Sequence, residues 1–178
     1  MTVEDLARLV RPIPDFPKPG ILFRDITTLI GHGEGFRTAV ALLADIARAS
    51  GAEAIAGVEA RGFIFGAAVA AHLGLPFILV RKPGKLPVPV IAIDYALEYG
   101  TDTLELDPGS VAPGQRVVVV DDLIATGGTV QAAVRLIRQA GGTVDEALFA
   151  IELPDLGGRD RLAELAVDVR ALMHFPGH

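Results

Sequence analysis

The stretch VVVVDDLIATGGT, which runs from Val117 to Thr129, combines the patterns of a strand, a loop and the start of a helix. Its four consecutive valines predict a strand that is buried on both faces, as in a parallel sheet covered by helices. The apolar residues after Thr129 recur with the spacing of a helix. Because ligands bind beyond the carboxyl ends of the strands in such sheets, the stretch predicts a binding site between this strand and this helix.

The loop ATGGT, Ala125 to Thr129, has the features of an anion-binding turn. The first N–H groups of a helix lack intrahelical partners and lie at the positive end of its dipole, so a phosphate can bind there. Gly127 and Gly128 let the backbone curl closely around an anion, and Thr126 and Thr129 can donate hydroxyl hydrogen bonds. The GxxxxGK[ST] pattern of a Walker loop is absent.

Asp121 and Asp122 stand just before this loop. Carboxylates repel phosphate, so we expect them to accept hydrogen bonds from vicinal hydroxyls or to approach a Mg²⁺ ion through water. A sugar with a phosphate at one end and hydroxyls in its middle fits both halves of the stretch. The ordinary alternative is a strand–turn–helix connection that is capped by Asp and Gly.

The composition excludes several classes of protein. A chain of 178 residues with 51% apolar and 21% charged residues fits one globular domain. The net charge of −6 argues against a nucleic-acid partner, and the absence of cysteine excludes disulfides and thiol nucleophiles. No signal peptide is evident, and the unbroken apolar parts of Phe63 to Val80 are too short for a bilayer of about 30 Å. We therefore expect a cytoplasmic protein without a membrane partner.

The alternation of strand-like and helix-like segments along the chain predicts an α/β fold. Ala54 to Val58 and Phe77 to Val80 read as buried strands, each joined to helix-like segments. Val88 to Leu106 interrupts that alternation, which predicts a hairpin or a mobile flap, and the four prolines between Pro12 and Gly20 predict an irregular segment. We expect a single domain over residues 1–178 with a central, mostly parallel sheet flanked by helices. A flexible flap near 82–106 and a small hood from about 12–30 and 152–175 complete this expectation.

Cations follow two of the predicted strands. Arg61 comes after Ala54 to Val58, where a guanidinium can bind a diphosphate through two hydrogen bonds. Arg81, Lys82 and Lys85 come after the next strand and could clamp a polyphosphate. The ordinary alternatives are a structural salt bridge for Arg61 and a solvated surface cluster for the other three.

Five segments together resemble the adenine phosphoribosyltransferases of the type I phosphoribosyltransferase family. The order and spacing of the family are kept by FPKPGILFRDIT (16–27), EARGF (59–63), RKPGKLP (81–87), LEYG (97–100) and the central stretch. The resemblance implies an enzyme of purine salvage that transfers the 5-phosphoribosyl group from 5-phospho-α-D-ribose 1-diphosphate to adenine, giving AMP and diphosphate. It also implies a homodimer. The cofactor would be Mg²⁺ carried by the diphosphate, with no direct protein ligand and with a water-mediated contact to one of the two aspartates.

The resemblance assigns the sugar and phosphate contacts residue by residue. Ala125 to Thr129 matches the loop around the 5′-phosphate, and Asp121 and Asp122 match the acids that face the ribose hydroxyls. Arg61 matches the arginine of the diphosphate loop. Two lysines match the cations near the diphosphate, and one arginine is placed to reach a neighbouring subunit: Lys82, Lys85 and Arg81.

The resemblance also assigns the base side. Glu98 matches the proposed catalytic acid/base on the flap, and Tyr99 matches the neighbour that covers the site; from the residues alone Glu98 could equally be a solvated hairpin charge. The segment around Arg24 matches the adenine lip, although an Arg–Asp pair in a surface loop would look the same. The residues that would line the base are Leu22, Phe23, Arg24 and Leu153.

Two other functions share the central stretch. An enzyme for another purine base is disfavoured because a 6-oxopurine enzyme usually has a lysine late in the chain, and no lysine follows Lys85. A non-catalytic regulator that binds 5-phosphoribosyl-1-pyrophosphate should lack Glu98 or carry a DNA-binding extension. One departure concerns the flap: Val88 to Ile93 is apolar, where the family would have more Ser and Thr.

Overall fold

The computed structural model describes residues 1–97 and 100–177. These residues form a two-stranded sheet and a seven-stranded sheet with helices packed against the larger one. The elements in chain order are α1 (Val3–Arg8), β1 (Arg11–Pro14), β2 (Leu22–Asp25), α2 (Thr27–Ile30), α3 (Gly33–Ala49), β3 (Ala54–Val58), α4 (Arg61–Leu73), β4 (Phe77–Arg81), β5 (Ile91–Ala96), β6 (Thr101–Leu106), β7 (Val117–Ile124), α5 (Gly128–Gln139), β8 (Glu146–Glu152), α6 (Gly158–Ala163) and β9 (Asp168–His174).

The large sheet has the strand order β5-β6-β4-β3-β7-β8-β9. Five neighbouring strands run parallel to one another: β4, β3, β7, β8 and β9. Strand β6 pairs antiparallel with both β4 and β5. This confirms the predicted α/β fold with a mostly parallel sheet. The carboxyl ends of β3, β4, β7 and β8 therefore meet at one edge, where a ligand site is expected.

The four valines of β7 hold the centre of the molecule. Val117 and Val119 pack in the core under α5, whereas Val118 and Val120 pack in the core under α3 and α4. All four are buried, as predicted. Burial of each stabilises the fold by about 1.5–3 kcal/mol relative to an exposed side chain.

Strand β7 is longer than the sequence suggested. We expected the strand to end at the two carboxylates, but it continues through Asp121 and Asp122 to Ile124. The reason is that β8 offers partners along the whole length, with Asp121 opposite Phe149 and Ile124 opposite Glu152. Both aspartates consequently have the fixed backbone of a central strand.

The apolar stretch that imitated a membrane span, residues 63–80, divides into most of α4 and most of β4. Within residues 1–97 and 100–177, no helix combines the length and the apolar character that a membrane span needs. The excursion that follows forms the hairpin β5–β6, as the sequence predicted. Glu98 and Tyr99 lie outside the described residues.

The second sheet is the antiparallel pair β1–β2 near the N-terminus. The prediction of an irregular segment was wrong for Pro12 and Pro14, which lie in β1. Proline lacks an N–H donor but is tolerated at an edge, and β1 has only one neighbouring strand. The division into domain, hood and flap stays a prediction, although Asp168–His174, which we had placed in the hood, pair with β8 in the main sheet.

Asp25 fastens this small sheet to α2. Its Oδ2 accepts hydrogen bonds from Arg11 at 2.6 and 3.0 Å, and its Oδ1 accepts from the N–H and hydroxyl of Thr27 at 2.9 and 2.7 Å. The hydrogen bonds from Thr27, followed by that from Arg11, lower the pKa of Asp25 to about 2. The carboxylate thus pairs with Arg11 and not with the adjacent Arg24, whose guanidinium lies 4.7 Å from the ring centre of Phe175.

We expect Asp25→Asn to lower the free energy of unfolding at pH 7. The folded pKa of about 2 lies below the usual 3.8, so this stabilisation is fully present above about pH 4 and is lost as the pH falls towards 2. The difference between wild type and variant should therefore shrink over that window in urea unfolding. Asp45→Asn is the control, because its ion pair with Arg48 is exposed and contributes little. A difference for Asp25→Asn that did not change with pH would contradict this account.

Candidate active site

The predicted anion-binding loop stands at the start of α5. The helix begins at Gly128, its N-cap is Gly127 with a φ of +80°, and no side chain caps its first turn. The first N–H groups are therefore left for a ligand. The loop from Ala125 to Thr129 lines a cavity of about 380 Å³ together with the ends of β3 and β7.

The loop packs against Gly158, the first residue of α6. A Cβ atom on Gly127 would lie 3.0 Å from both Cα and the carbonyl oxygen of Gly158, and a Cβ on Gly158 would lie 2.5 Å from the carbonyl oxygen of Ala125. Both positions thus require glycine. We did not identify Gly158 from the sequence, because nothing local marks a residue that packs against a loop thirty positions earlier.

The two aspartates face the same cavity but differ in their contacts. Asp122 is buried, and its Oδ2 lies 2.9 Å from Nε of Arg61. Oδ1 of Asp121 accepts the N–H of Asp122 at 2.8 Å. Burial, and then the negative charge of Asp122, raise the pKa of Asp121 well above its usual value. The carboxylate of Asp122, paired with Arg61, can accept hydrogen bonds from hydroxyl groups or from metal-bound water, whereas the raised pKa of Asp121 favours its protonated form.

Arg61 combines the two roles that the sequence left open. It begins α4, directly after the cis peptide bond between Glu59 and Ala60. Its ion pair with Asp122 uses Nε, and within the described residues no hydrogen bond engages its Nη groups. The side chain is 58% exposed and lines this cavity. Arg61 is thus a salt-bridge residue that still offers donors to an anion.

The cations at the end of β4 and just after it are more ordered than a solvated cluster. Arg81 donates to Oε2 of Glu59 at 2.9 and 3.0 Å, and the N–H of Lys82 donates to Oε1 of Glu59 at 2.7 Å. The side chain of Lys82 lines the cavity. Lys85 is exposed. Among the described residues, neither Lys85 nor Arg81 lines this cavity or the second cavity below.

A second cavity of about 530 Å³ opens between the small sheet and the ends of β7 and β8. It shares five residues with the first cavity, so the two form one continuous cleft: Arg61, Asp122, Leu123, Ala125 and Thr126. All four residues expected at the base line it, namely Leu22, Phe23, Arg24 and Leu153. Six further lining residues were not among the expected site residues: Lys18, Pro19, Gly20, Ile21, Leu123 and Leu156.

One buried polar atom adjoins this second cavity. Nε of Arg24 is inaccessible to solvent and has no hydrogen-bond partner among the described residues. Buried donors are normally paired, so this nitrogen is an exception beside the cleft. Across the part of the chain that the structure describes, no group of three or more His, Cys, Asp or Glu side chains is arranged to hold a metal.

Comparison with known proteins identifies first the family of the domain and then the more specific family of the full chain. Residues 32–152 match the phosphoribosyl transferase domain family, and this region contains the strands and the loop of the first cavity. The class of protein is therefore a phosphoribosyltransferase of type I.

The full-length relatives are more specific. The chain is 66% identical to the adenine phosphoribosyltransferase of Novosphingobium aromaticivorans over 100% of both chains. The crystal structure of adenine phosphoribosyltransferase from Thermoanaerobacter pseudethanolicus is 46% identical and superposes with a TM-score of 0.93, covering 98% of this chain and 100% of that one. The enzyme from Saccharomyces cerevisiae, in complex with an imino-altritol bisphosphate and adenine, gives a TM-score of 0.88 at 35% identity over 96% and 97% of the two chains. This chain belongs to the adenine phosphoribosyltransferase family.

We expect Gly127→Ala to weaken binding of the phosphorylated sugar. A left-handed backbone costs a non-glycine residue about 1–2 kcal/mol, and the new Cβ would press against Gly158, so the loop must shift. The KM for the phosphoribosyl substrate should rise roughly tenfold, equivalent to about 1.4 kcal/mol.

Gly74→Ala is the matched control for this prediction. Gly74 also has a positive φ, of +66°, but a Cβ there would meet nothing within 4 Å. Thermal unfolding should show both variants destabilised, whereas only Gly127→Ala should change the KM. Equal KM values for the two variants would disprove the steric explanation.

Proposed function

We propose that this chain acts in purine salvage by transferring the 5-phosphoribosyl group from 5-phospho-α-D-ribose 1-diphosphate to adenine, giving AMP and diphosphate. The observation that carries the proposal is the continuous cleft, whose polar half contains the glycine loop and whose larger half lies under apolar residues of the small sheet. Such a cleft fits a phosphorylated sugar joined to a flat base. Relatives that match over their whole length are adenine phosphoribosyltransferases, so we set aside another purine base and a non-catalytic regulator. We place the reaction in the cytoplasm.

In the polar half, we assign the 5′-phosphate to the loop from Ala125 to Thr129. The backbone N–H groups at the start of α5 and the hydroxyls of Thr126 and Thr129 would bind its oxygens. The 2′- and 3′-hydroxyls of the ribose would donate to the carboxylates of Asp121 and Asp122. This arrangement keeps the carboxylates away from the phosphate, because the loop lies three residues beyond Asp122.

Departure of the diphosphate is the step that needs cations. The leaving group takes negative charge from the anomeric carbon, and Arg61 with Lys82 and Lys85 would stabilise that charge. Arg81 is the residue we assign to a neighbouring protomer's site, which requires it to leave Glu59. Asp121 and Asp122 fit the Mg²⁺ that we propose as cofactor, because Mg²⁺ is usually held by one or two carboxylates, water and substrate phosphates. When bound, it would neutralise charge on the diphosphate.

In the apolar half, the base would lie between Leu22, Phe23 and Leu153. Arg24 supports this wall through its contact with Phe175. Its Nε has no hydrogen-bond partner within the described residues. Adenine must lose a ring proton as its nitrogen attacks, and we assign that transfer to Glu98. Tyr99 would cover the site and help to keep water from the cationic ribose.

We also propose a homodimer. Leu79 in β4 and Ile64 in α4 are each 38% exposed, and Val88 beyond the end of β4 is 43% exposed. An exposed leucine on a strand inside the main sheet favours contact with a second copy. Sedimentation velocity measures the mass, and a single species at 18.7 kDa would exclude the dimer.

A panel of free bases tests the assignment of the substrate. With 5-phospho-α-D-ribose 1-diphosphate and Mg²⁺, adenine should give AMP and diphosphate, whereas hypoxanthine, guanine and orotate should give little nucleotide. Removal of Mg²⁺ with EDTA should abolish turnover, and addition of Mg²⁺ should restore it. Faster turnover with a 6-oxopurine than with adenine would refute the proposal.

We expect Glu98→Ala to lower kcat more than it weakens binding of the phosphoribosyl substrate. The carboxylate acts on the base in the transition state, so its loss should cost roughly 100-fold or more in kcat. Glu98→Gln is the isosteric comparison, since it retains the size of the side chain and removes its basicity. Unchanged kcat in both variants would remove Glu98 from the mechanism.

A further inference from the structure

The ammonium group of Lys82 is held by the hairpin β5–β6. Its Nζ donates to the hydroxyl of Tyr95 at 3.1 Å and forms a close ion pair with the carboxylate of Asp102. The hydroxyl of Tyr95 donates in turn to Asp102 at 3.2 Å. Tyr95 and Asp102 are directly opposite each other in the register of the hairpin, so their side chains project from the same face.

The carboxylate of Asp102 is itself fixed. Its Oδ1 accepts the N–H of Thr103 at 2.8 Å, which leaves Oδ2 for Lys82 and Tyr95. Hydrogen bonds from Lys82 and then from Thr103 lower the pKa of Asp102. Burial lowers the pKa of Lys82, but its bonds to Asp102 and Tyr95 outweigh this effect, and the pKa is raised. The pair is therefore fully charged at neutral pH.

An ammonium group has three donors. Tyr95 and Asp102 engage two of them, and Lys82 also lines the cavity that contains the glycine loop. One donor thus remains for a ligand in that cavity. A lysine otherwise has a flexible stem of four carbons, so the two hairpin contacts determine where its charge is found before a ligand arrives.

We propose that Asp102, assisted by Tyr95, is a positioning residue that holds the ammonium of Lys82 in place for the diphosphate of 5-phospho-α-D-ribose 1-diphosphate. The inference rests on the proposed function, and specifically on the assignment of Lys82 to the diphosphate. A positioned lysine is ordered in advance, so less freedom is lost when the diphosphate binds.

The sign of the effect separates positioning from simple charge repulsion. Asp102 carries a negative charge close to the proposed diphosphate site, so its removal would tighten substrate binding if long-range repulsion dominated. Removal should weaken binding if the main role of Asp102 is to hold Lys82. We therefore expect Asp102→Asn to raise the KM for 5-phospho-α-D-ribose 1-diphosphate by roughly five- to tenfold, as when one charge-assisted hydrogen bond is weakened.

Steady-state kinetics with the full chain, adenine and Mg²⁺ test this. In Asp102→Asn, the KM for adenine should stay unchanged, and product inhibition by diphosphate should weaken in parallel with the KM for the diphosphate substrate. Tyr95→Phe removes one partner of Lys82 and should give a smaller change in the same direction. It also carries the test if thermal unfolding shows that Asp102→Asn does not fold.

Asp94→Asn is the matched control. Asp94 lies in β5 of the same hairpin, and its carboxylate accepts the hydroxyl of Thr103 at 2.6 Å. It lines a third cavity of about 240 Å³ with Arg135 and Arg161, which adjoins the first cavity at Gly128 but does not include Lys82. This variant removes the same charge from the hairpin without touching Lys82, and its KM for the diphosphate substrate should equal that of wild type.

The double variant distinguishes failure of the inference from failure of the assigned function. Lys82→Ala should raise the KM for the diphosphate substrate, and adding Asp102→Asn should raise it no further, because Asp102 acts through Lys82. If Lys82→Ala raises the KM but Asp102→Asn lowers it or leaves it unchanged, the positioning role is refuted and the role of Lys82 stands. If Lys82→Ala leaves the KM unchanged, the assignment of Lys82 to the diphosphate is itself refuted.

Discussion

Burial of β7 on both faces is the constraint on which the rest of the structure depends. Val117 and Val119 belong to one core, and Val118 and Val120 belong to the other, so the strand cannot slip by one residue without exchanging its two faces. Pairing with β3 on one side and β8 on the other fixes it further. The aspartates and the glycine loop inherit this rigidity, because they lie on this strand and directly beyond its end.

The cationic side chains of the first cavity are each paired with an acidic residue and still have hydrogen-bond donors left for a ligand. Asp122 is paired with Arg61 through Nε, which leaves the remaining nitrogens of the guanidinium. Asp102 and Tyr95 hold Lys82 and leave it one donor. A charged group with a partner can be kept at a fixed position, whereas an isolated buried charge would be costly. Affinity for a highly charged substrate is thus combined with a folded state that is stable in its absence.

Local pattern was sufficient for much of this arrangement. The run of valines, the two glycines and the spacing after Thr129 were enough to predict the strand, the loop and the start of α5. The continuation of β7 through Asp121 was not predictable, because polar residues resemble a loop until the partner strand β8 is known. Some contacts depend on tertiary structure and cannot be predicted from the spacing of residues in the sequence. Examples are the contact of Lys82 with Asp102, twenty positions apart, and the packing of Gly158 against the loop.

The cleft has a shared wall, and this wall has a consequence for how the family can diversify. Arg61 and Asp122 border both halves, so on the proposed assignment substitutions there would alter the binding of sugar and base together. Leu22 and Phe23 border the apolar half alone, on a small sheet that is separate from the main one. On the proposed assignment, a different heterocycle could therefore be accommodated by exchanging residues of the small sheet, while the residues assigned to the ribose and its phosphates stay unchanged.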